Sequence, residues 1–523
     1  MQQRDTHVTI LGGGLAGMSL ALQLKYKRPN IGVTVIEKNI YPVNDTTAKV
    51  GESTVEIAAH YFGDVLGLRS HFEQYHLRKH GLRLFFGSRS DEFSEYDELG
   101  VSELFGIPTY QIERGVLENY LHSRLMDLGV DFISGAMLQN ISVGTRTHSV
   151  IVSLAESEVC YTSRWLIDAS GRTGLLKRKL NLAKDNAHRG NAVFFRVDKT
   201  VIIDDWSGNS DWRDQIRDKG KRWLSTNHLM GPGYWVWIIP LGSGATSFGI
   251  VMDDKALSES AITSFDDTVK WLRENHPQCA ASLDGANLLD FVVIKNYSYD
   301  CKQVFSADGW ALSGEAGTFA DPFYSPGSDY IAISNTFITQ LIADEFDGKS
   351  IELKTVIFQK LYDSFYQNTL LLYKDLYGGF GDRRMMAVKL VWDYSYYWGV
   401  LALLFYADVI TDIEKMRDLN PILMRAQKAN KRMHKAMRQR AERRLILPKK
   451  SLFMDQYLVP FLRELNAVLK QPQIDVATSL GTNVEKMERM VPMFEQMLGD
   501  ISAESYGDIE SSIIGDYRGY VMA

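Results

Sequence analysis

Val8-Thr9-Ile10-Leu11-Gly12-Gly13-Gly14-Leu15-Ala16-Gly17 reads as a short buried strand, a glycine turn and the start of a helix continuing through Met18-Ser19-Leu20-Ala21-Leu22-Gln23-Leu24. Gly12, Gly14 and Gly17 fit G-x-G-x-x-G. The first permits the tight turn, the second lets a pyrophosphate approach the backbone, and the third lets the helix pack on the strand. The helix N-terminus at Leu15 and Ala16 offers N–H groups and a positive dipole end to phosphates. A second strand, Gly32-Val33-Thr34-Val35-Ile36, ends in Glu37-Lys38. Glu37 lies about 20 residues beyond Gly17, the spacing of a carboxylate that binds a ribose hydroxyl. Strand, turn, helix and acid in this register predict dinucleotide binding on an α/β sheet.

The totals agree with a large globular chain. At 523 residues there is length for about three domains and a sizeable core. Charged residues at 23% and hydrophobic ones at 45% exclude a disordered or fibrous chain. A net charge of −6 gives no general attraction to nucleic acid. Cys160, Cys279 and Cys301 are far apart and odd in number, which points to a reducing compartment and to neither a disulfide framework nor a metal site. With no basic-then-apolar segment before the first strand, a cytoplasmic location is expected.

Further along, Gly51-Glu52-Ser53-Thr54 leads into a helix predicted over Val55–Leu66, with Ser53 or Thr54 as its N-cap. Gly81–Phe86 reads as a strand, Ser88–Gly106 as an acidic surface excursion, and the segment from Tyr110 as the start of a helix. Alternating stretches between Val130 and Leu154 predict a small antiparallel sheet. Trp165–Asp168 and Trp310–Leu312 are apolar strands running into polar turns, the latter followed by a helix from about Tyr330 to Phe346. Asn191–Ile203 and Tyr234–Val251 predict a second sheet, interrupted by a charged insert around Asp205–Trp223. After about Ser350 no strand rhythm remains and apolar residues recur at helical spacing. Tyr394–Tyr406 is apolar but shorter than the ~18 residues of a membrane span, so a buried helix is expected. The basic run Arg425–Lys450 reads as a solvated helix, with a face for an anionic partner as the alternative. Pro448 and Pro460 are expected at helix boundaries.

Together these motifs resemble the flavoprotein-monooxygenase architecture, which holds FAD at several separated strand–turn junctions. The glycine turn and Glu37 match its first motif. Gln111 and Arg114 match a helix that contacts the flavin nucleotide, Asp168-Ala169-Ser170-Gly171-Arg172 resembles the strand end that returns near the adenine, and Gly314-Glu315 falls where the family carries Gly-Asp. Three further signatures resemble the flavin-dependent halogenases. Trp235-Val236-Trp237-Ile238-Ile239-Pro240 matches W-x-W-x-I-P; on a strand, Trp235 and Trp237 face the same way. Lys79-His80-Gly81-Leu82-Arg83 matches the segment with the family's catalytic lysine. Asp321-Pro322-Phe323-Tyr324-Ser325-Pro326-Gly327 matches the loop beside the flavin ring, with Gly327 and Ser328 as halide-binding N–H donors. The resemblance covers about residues 1–340.

Two departures refine it. Tyr324 stands where the tryptophan-specific members carry a glutamate, which implies the branch acting on phenols, pyrroles or similar rings. Pro326 has no N–H to offer a halide. The resemblance implies that reduced FAD, oxygen and halide yield hypohalous acid, with Tyr324 and Ser325 in the catalytic loop. Trp235, Trp237 and Pro240 wall the flavin from the substrate, and Lys79 aims the hypohalous acid at the ring. Lysine suits this task because desolvation lowers an amine's pKa toward the neutral form. With no second nucleotide fold, a separate flavin reductase is expected to supply reduced FAD. The expected organisation is an FAD module of residues 1–87, 107–180 and 300–349, a substrate-side sheet with insertions at 88–106 and 181–299, and a helical module at 350–523. An FAD-dependent hydroxylase and a flavin-binding protein without turnover are the competing functions.

Overall fold

The computed structural model describes residues 2–47, 49–87, 92–154, 157–254, 256, 262–447 and 451–499. The chain forms two compact units: Met1–His76 with Ile112–Asn186 and Ser298–Gln367, and Leu77–Gln111 with Ala187–Tyr297 and the residues from Asn368 on.

The first unit is built on a sheet with strand order Phe305–Ser306, Trp310–Leu312, Ser157–Asp168, Gln2–Leu11, Val33–Ile36, Asp131–Ile133. All neighbours run parallel except the Phe305–Ser306 edge. The first strand is longer than its apolar stretch implies, because register pairs from Gln2 with Val159 to Thr6 with Ser163 extend it along Ser157–Asp168. Strands Met137–Val143 and His148–Leu154 add antiparallel to the outer half of that long strand, as expected from alternation, whereas Val130–Ile133, expected in the same small sheet, contributes Asp131–Ile133 as a parallel edge of the main one. Register pairs Leu312 with Asp168, Asp168 with Leu11, Leu11 with Ile36, and Ile36 with Ile133. Five strand ends therefore lie in one row, and the glycine turn and the loops after Ile36, Asp168 and Leu312 leave from it. That carboxyl edge is where open α/β sheets bind ligands. The helix predicted from Val55 is observed as Glu56–His60 followed by a π-helical turn, Tyr61–Val65. Its N-cap is Val55, not Ser53 or Thr54, and no side chain caps it. The helix predicted from Tyr110 begins at Arg114, because Tyr110–Gln111 is extended and paired with Leu77–Arg78.

The second unit holds a sheet ordered Leu288–Ile294, Asn191–Val197, Thr246–Met252, Tyr234–Pro240, Thr226–Gly231, Leu82–Phe86, Asp97–Gly100, Phe453–Asp455. One face packs Phe195, Leu229, Val236, Ile238, Phe248 and Ile250 into a core closed by Trp212, Trp271, Leu272 and Cys279. Two expectations fail here. Asp97–Gly100, read as part of a surface excursion, is a buried inner strand. Its acids are carried inside by distant arginines: Arg383 lies 2.7 Å from Asp97, while Arg83 and Arg222 both pair with Glu98. Phe453–Asp455 is a strand inside the region expected to be wholly helical, added parallel at the sheet edge.

The helices of this unit otherwise follow the periodicity. Pro460 opens Pro460–Val468, whereas Pro448 lies outside the described residues. Tyr394–Tyr406 runs through the end of Arg383–Tyr396, a π-helical turn and Leu403–Tyr406, mostly buried. Among the described residues no helix is long and apolar enough to cross a membrane. The basic helix Ile413–Ala441 pairs Arg425 with Glu488 and Arg432 with Glu495 on Val476–Gly499 at 2.6 and 2.5 Å.

Candidate active site

At the carboxyl edge of the first sheet the three motif glycines have different reasons. Gly12 has φ of +111°, and a Cβ there falls 2.5 Å from the Ala169 carbonyl oxygen. A Cβ at Gly17 falls 2.0 Å from the Gly12 carbonyl oxygen. Both positions are closed by the chain's own backbone. Gly14 differs: it is the N-cap of Leu15–Lys27, carries no side-chain cap, and a Cβ there meets nothing within 4 Å. Glu37 is buried and accepts the Gly13 and Asn39 N–H groups at 2.7 and 2.8 Å, which fixes its carboxylate against the turn; Lys38 is exposed.

The other junctions are placed as follows. Asp168 accepts Ser170 N–H at 3.0 Å and Leu176 N–H at 2.7 Å, so its carboxylate organises its own turn. Arg114 donates to the carbonyls of Val50 and, at 3.4 Å, Gly51, beside buried Glu52 and Ser53, and pairs with Glu118. Its Nε is buried without an acceptor. Gln111 belongs to the second unit, where its amide donates to Thr226 Oγ1 at 3.0 Å. Gly314, at φ +55°, donates to Ser334 Oγ. Burial raises the Glu315 pKa against the pull of Arg172, Arg114 and Lys177. The open space over Gly14, the uncapped helix terminus and the buried Arg114 N–H together fit FAD, whose pyrophosphate needs close backbone approach and donors.

The loop Asp321–Ser328 is held under strain. Tyr324 and Ser325 stand at φ +71° and +58°, a left-handed region costly for residues with a Cβ. A turn closes between Ser325 N–H and the Pro322 carbonyl at 2.9 Å, and Asp321 accepts Phe323 N–H at 2.9 Å. Pro326 is the N-cap of Gly327–Phe346 without a side-chain cap. Gly327 and Ser328 thus present first-turn N–H groups that have no acceptor within their own helix. Asp329 instead accepts Ala58 N–H at 2.9 Å.

In the second unit the sheet face opposite the core carries the aromatic motif. The hairpin Thr226–Gly231 to Tyr234–Pro240 turns through Pro232 and Gly233, the latter at φ +91°, as a type II turn requires. That turn sets His228 opposite Trp237 and Met230 opposite Trp235. Trp235 and Trp237 face one way, both buried, with ring centroids 5.7 Å apart. Trp237 donates to Ser247 Oγ at 3.1 Å and occupies the room left by Gly249, where a Cβ falls 2.2 Å from the ring. Trp235 donates to Tyr377 Oη at 2.9 Å, and Tyr377 bonds Tyr297 through their hydroxyls at 2.9 Å. Pro240 closes the strand opposite Thr246.

Lys79 is only 2% exposed. Its backbone is tied on both sides: Lys79 N–H donates to Thr109 at 2.8 Å, His80 N–H to Leu224 at 3.0 Å, and Thr226 N–H to Gly81 at 3.0 Å. His228 is also 2% exposed, and its ring centroid lies 5.4 Å from that of Trp235. Burial lowers the His228 pKa to about 3, with the charge of Lys79 acting in the same direction. The second unit thus gathers a buried amine, an imidazole and two indoles. Sequence reading missed His228, Tyr377, Tyr297 and Gly249. The Gly-Pro-Gly turn was a usable signal for His228, since it fixes the hairpin register; the tyrosines had none.

No family profile matches the chain. It is 26% identical over 426 residues to the flavin-dependent halogenase chlA of Dictyostelium discoideum, covering 75% of this chain and 70% of that protein. It is 25% identical over 351 residues to a 1H-pyrrole-2-carbonyl-(peptidyl-carrier protein) chlorinase of Pseudomonas fluorescens, covering 62% and 73%. The halogenase PltM, solved with phloroglucinol and FAD, superposes with a TM-score of 0.71 at 15% identity over 94% of this chain and 99% of that one. The flavin-dependent brominase Bmp2 superposes at 0.58 and 21% identity over 72% and 87%. The chain that carries the glycine cradle, the W-x-W-x-I-P strand and the buried lysine is thus similar in sequence to flavin-dependent halogenases and shares the fold of solved ones.

Proposed function

We propose that the chain halogenates a small electron-rich aromatic, of phenol, pyrrole or indole type, by electrophilic substitution at Lys79. The observation that carries this is the burial of Lys79 in the same unit as the W-x-W-x-I-P strand, where its charge acts on buried His228, which packs on Trp235. An amine is buried at a cost in free energy unless it is hydrogen-bonded or paired, so this is not the place of a solvated surface lysine. The first unit is proposed as the FAD-binding one. Its contacts are the N–H groups at Gly14, Leu15 and Ala16 for the pyrophosphate, Glu37 for a ribose, and Arg114, Gly314, Glu315 and Pro322 nearer the flavin. Reduced FAD, oxygen and halide supply hypohalous acid. Gly327 and Ser328 hold the halide by backbone N–H. Lys79 donates a hydrogen bond to the hypohalous acid or carries the halogen as a haloamine. The indoles exclude water from it, and the protein's contribution is chiefly orientation.

Tyr324 supports a ring that releases its proton unaided, as phenols and pyrroles do, over free tryptophan. The pyrrole-acting relative and the phloroglucinol complex of PltM point the same way. A separate reductase supplying reduced FAD completes the reading. Mass spectrometry of a phenol, pyrrole and indole panel, with FAD, a reductase and each halide, tests it. Halide-dependent mass gain on a phenol, lost in Lys79→Ala, is expected. Hydroxylated product without halide overturns it.

A further inference from the structure

The turn Gly314–Gly317 is held by a lysine that belongs to another junction of the first unit. Lys177 lies on the short helix Leu175–Lys179, where the Asp168 carboxylate accepts the Leu176 N–H. The lysine is buried, and its Nζ donates to the Gly317 carbonyl at 3.1 Å and stands 3.8 Å from the centre of the Tyr299 ring. Tyr299 in turn donates its hydroxyl to the Glu315 carbonyl at 2.8 Å. Its own backbone is bridged to Phe319, N–H to carbonyl in both directions, at 2.9 and 3.0 Å. Two carbonyls of the turn are therefore fixed from outside it, by an amine and a phenol in contact with each other. The same turn borders the glycine cradle and the start of the helix Gly327–Phe346. A Cβ on Gly314 would stand 3.7 Å from that of Ala16, and one on Gly327 would stand 3.7 Å from Glu315 Oε1.

Resting on the reading of Gly314 and Glu315 as flavin contacts, we infer that Lys177 is the positioning residue of their turn, tying the junction after Asp168 to the junction after Leu312 so that both meet one FAD in fixed relation. A cation on a carbonyl and over an aromatic face is a directed tether, and both attractions weaken when the amine loses its charge. The flavin-free fold gains nothing from that charge. Burial lowers the Lys177 pKa to about 8 against the pull of Cys301, Asp168 and Glu315, with Arg178 adding to the fall. Below that pH the charged amine weakens the flavin-free chain, so the chain's own stability does not explain a lysine at this place. Tyr299 keeps its proton throughout, since burial and then the Glu315 charge push its pKa well above the usual 10.

The test titrates the flavin-free protein with FAD, followed by flavin fluorescence, on both sides of pH 8. Wild type is compared with Lys177→Met, Tyr299→Phe and Glu315→Ala, and each flavin-free protein is melted. Methionine is flexible enough to fill the space of the lysine stem without charge or donor. Below pH 8 it is expected to raise the Kd for FAD about tenfold, with the melting temperature equal to or above that of wild type. The wild-type Kd climbs toward the Lys177→Met value as pH passes 8, while that of Lys177→Met stays level. Tyr299→Phe keeps the ring under the amine and loses the bond to the Glu315 carbonyl, so its Kd rises about threefold and keeps the wild-type pH profile. A Kd for Lys177→Met within about twofold of wild type, with Glu315→Ala weakened, overturns this inference and leaves the junction reading standing. Weaker binding by Lys177→Met with the wild-type pH profile retained, or with a lowered melting temperature, makes Lys177 a packing residue and also overturns it. Unchanged affinity in Glu315→Ala removes the junction reading, and the inference with it.

Discussion

Gly14→Val separates what the glycine turn does for the chain from what it does for a ligand. A Cβ at Gly14 meets nothing within 4 Å, and its φ of −81° and ψ of −171° suit any residue. The flavin-free protein should therefore lose about 1 kcal/mol, the cost of replacing glycine by a poorer N-cap residue with no steric clash added. The bound nucleotide is affected far more. A branched side chain standing over the first helical turn displaces a phosphate from N–H groups whose charge-assisted hydrogen bonds contribute about 1.5–3 kcal/mol each. Losing one or two of them costs about 2–5 kcal/mol, a rise in Kd of roughly 30-fold to several thousandfold. Flavin fluorescence titration and a flavin-free thermal melt measure the two quantities separately. Gly17→Ala gives the opposite pattern, because its Cβ falls 2.0 Å from the Gly12 carbonyl oxygen and the fold itself suffers. FAD affinity for Gly14→Val within threefold of wild type would refute the assignment of this turn to the pyrophosphate.

Lys79→Arg should uncouple like Lys79→Ala, with hypohalous acid trapped by monochlorodimedone, because a guanidinium stays protonated; ring halogenation at the wild-type rate counts against a neutral amine. Tyr377→Phe removes the acceptor of Trp235 and the partner of Tyr297, and should lower stability by about 1–4 kcal/mol in a denaturant melt, the cost of one or two buried groups left unmatched. Free tryptophan should turn over far more slowly than a simple phenol, since Tyr324 supplies no carboxylate; comparable rates in a competition assay exclude that reading. Burial lowers the Lys177 pKa from 10.5 to about 8, so between those values the unfolded chain holds a proton that the folded chain has shed, and this group adds stability as pH rises. In flavin-free melts the advantage of Lys177→Met should be largest below pH 8 and shrink toward pH 10.

The parts of the fold visible in the sequence are those whose signal is local. The glycine turn, the strand ending at Glu37 and the two tryptophans at a spacing of two are each fixed by their neighbours in the chain. Asp97–Gly100 was hidden because an acidic stretch is buried only when cations arrive from elsewhere. Arg83 and Arg222 neutralise Glu98, and Arg383 neutralises Asp97, from positions no periodicity connects. The three-residue strand Phe453–Asp455 is too short for any alternation to register. Val55 takes the cap position that Ser53 or Thr54 was expected to fill, since a good capping residue must also lie where the chain turns. Lys79 was singled out by its place between motifs, whereas Tyr377 lies 142 residues from the indole it holds.

Gly249 gives the aromatic face an adjustable dimension. The indole of Trp237 fills the place of a side chain at position 249, with ring atoms 2.2 Å from where a Cβ would be. The obstruction is a side chain and not backbone, so a methyl group there must displace the indole, at the expense of its bond to Ser247. Where the indoles line the substrate's place, as proposed above, exchanging one hydrogen atom for a methyl group at 249 would alter the room for the ring by shifting Trp237, with neither tryptophan substituted.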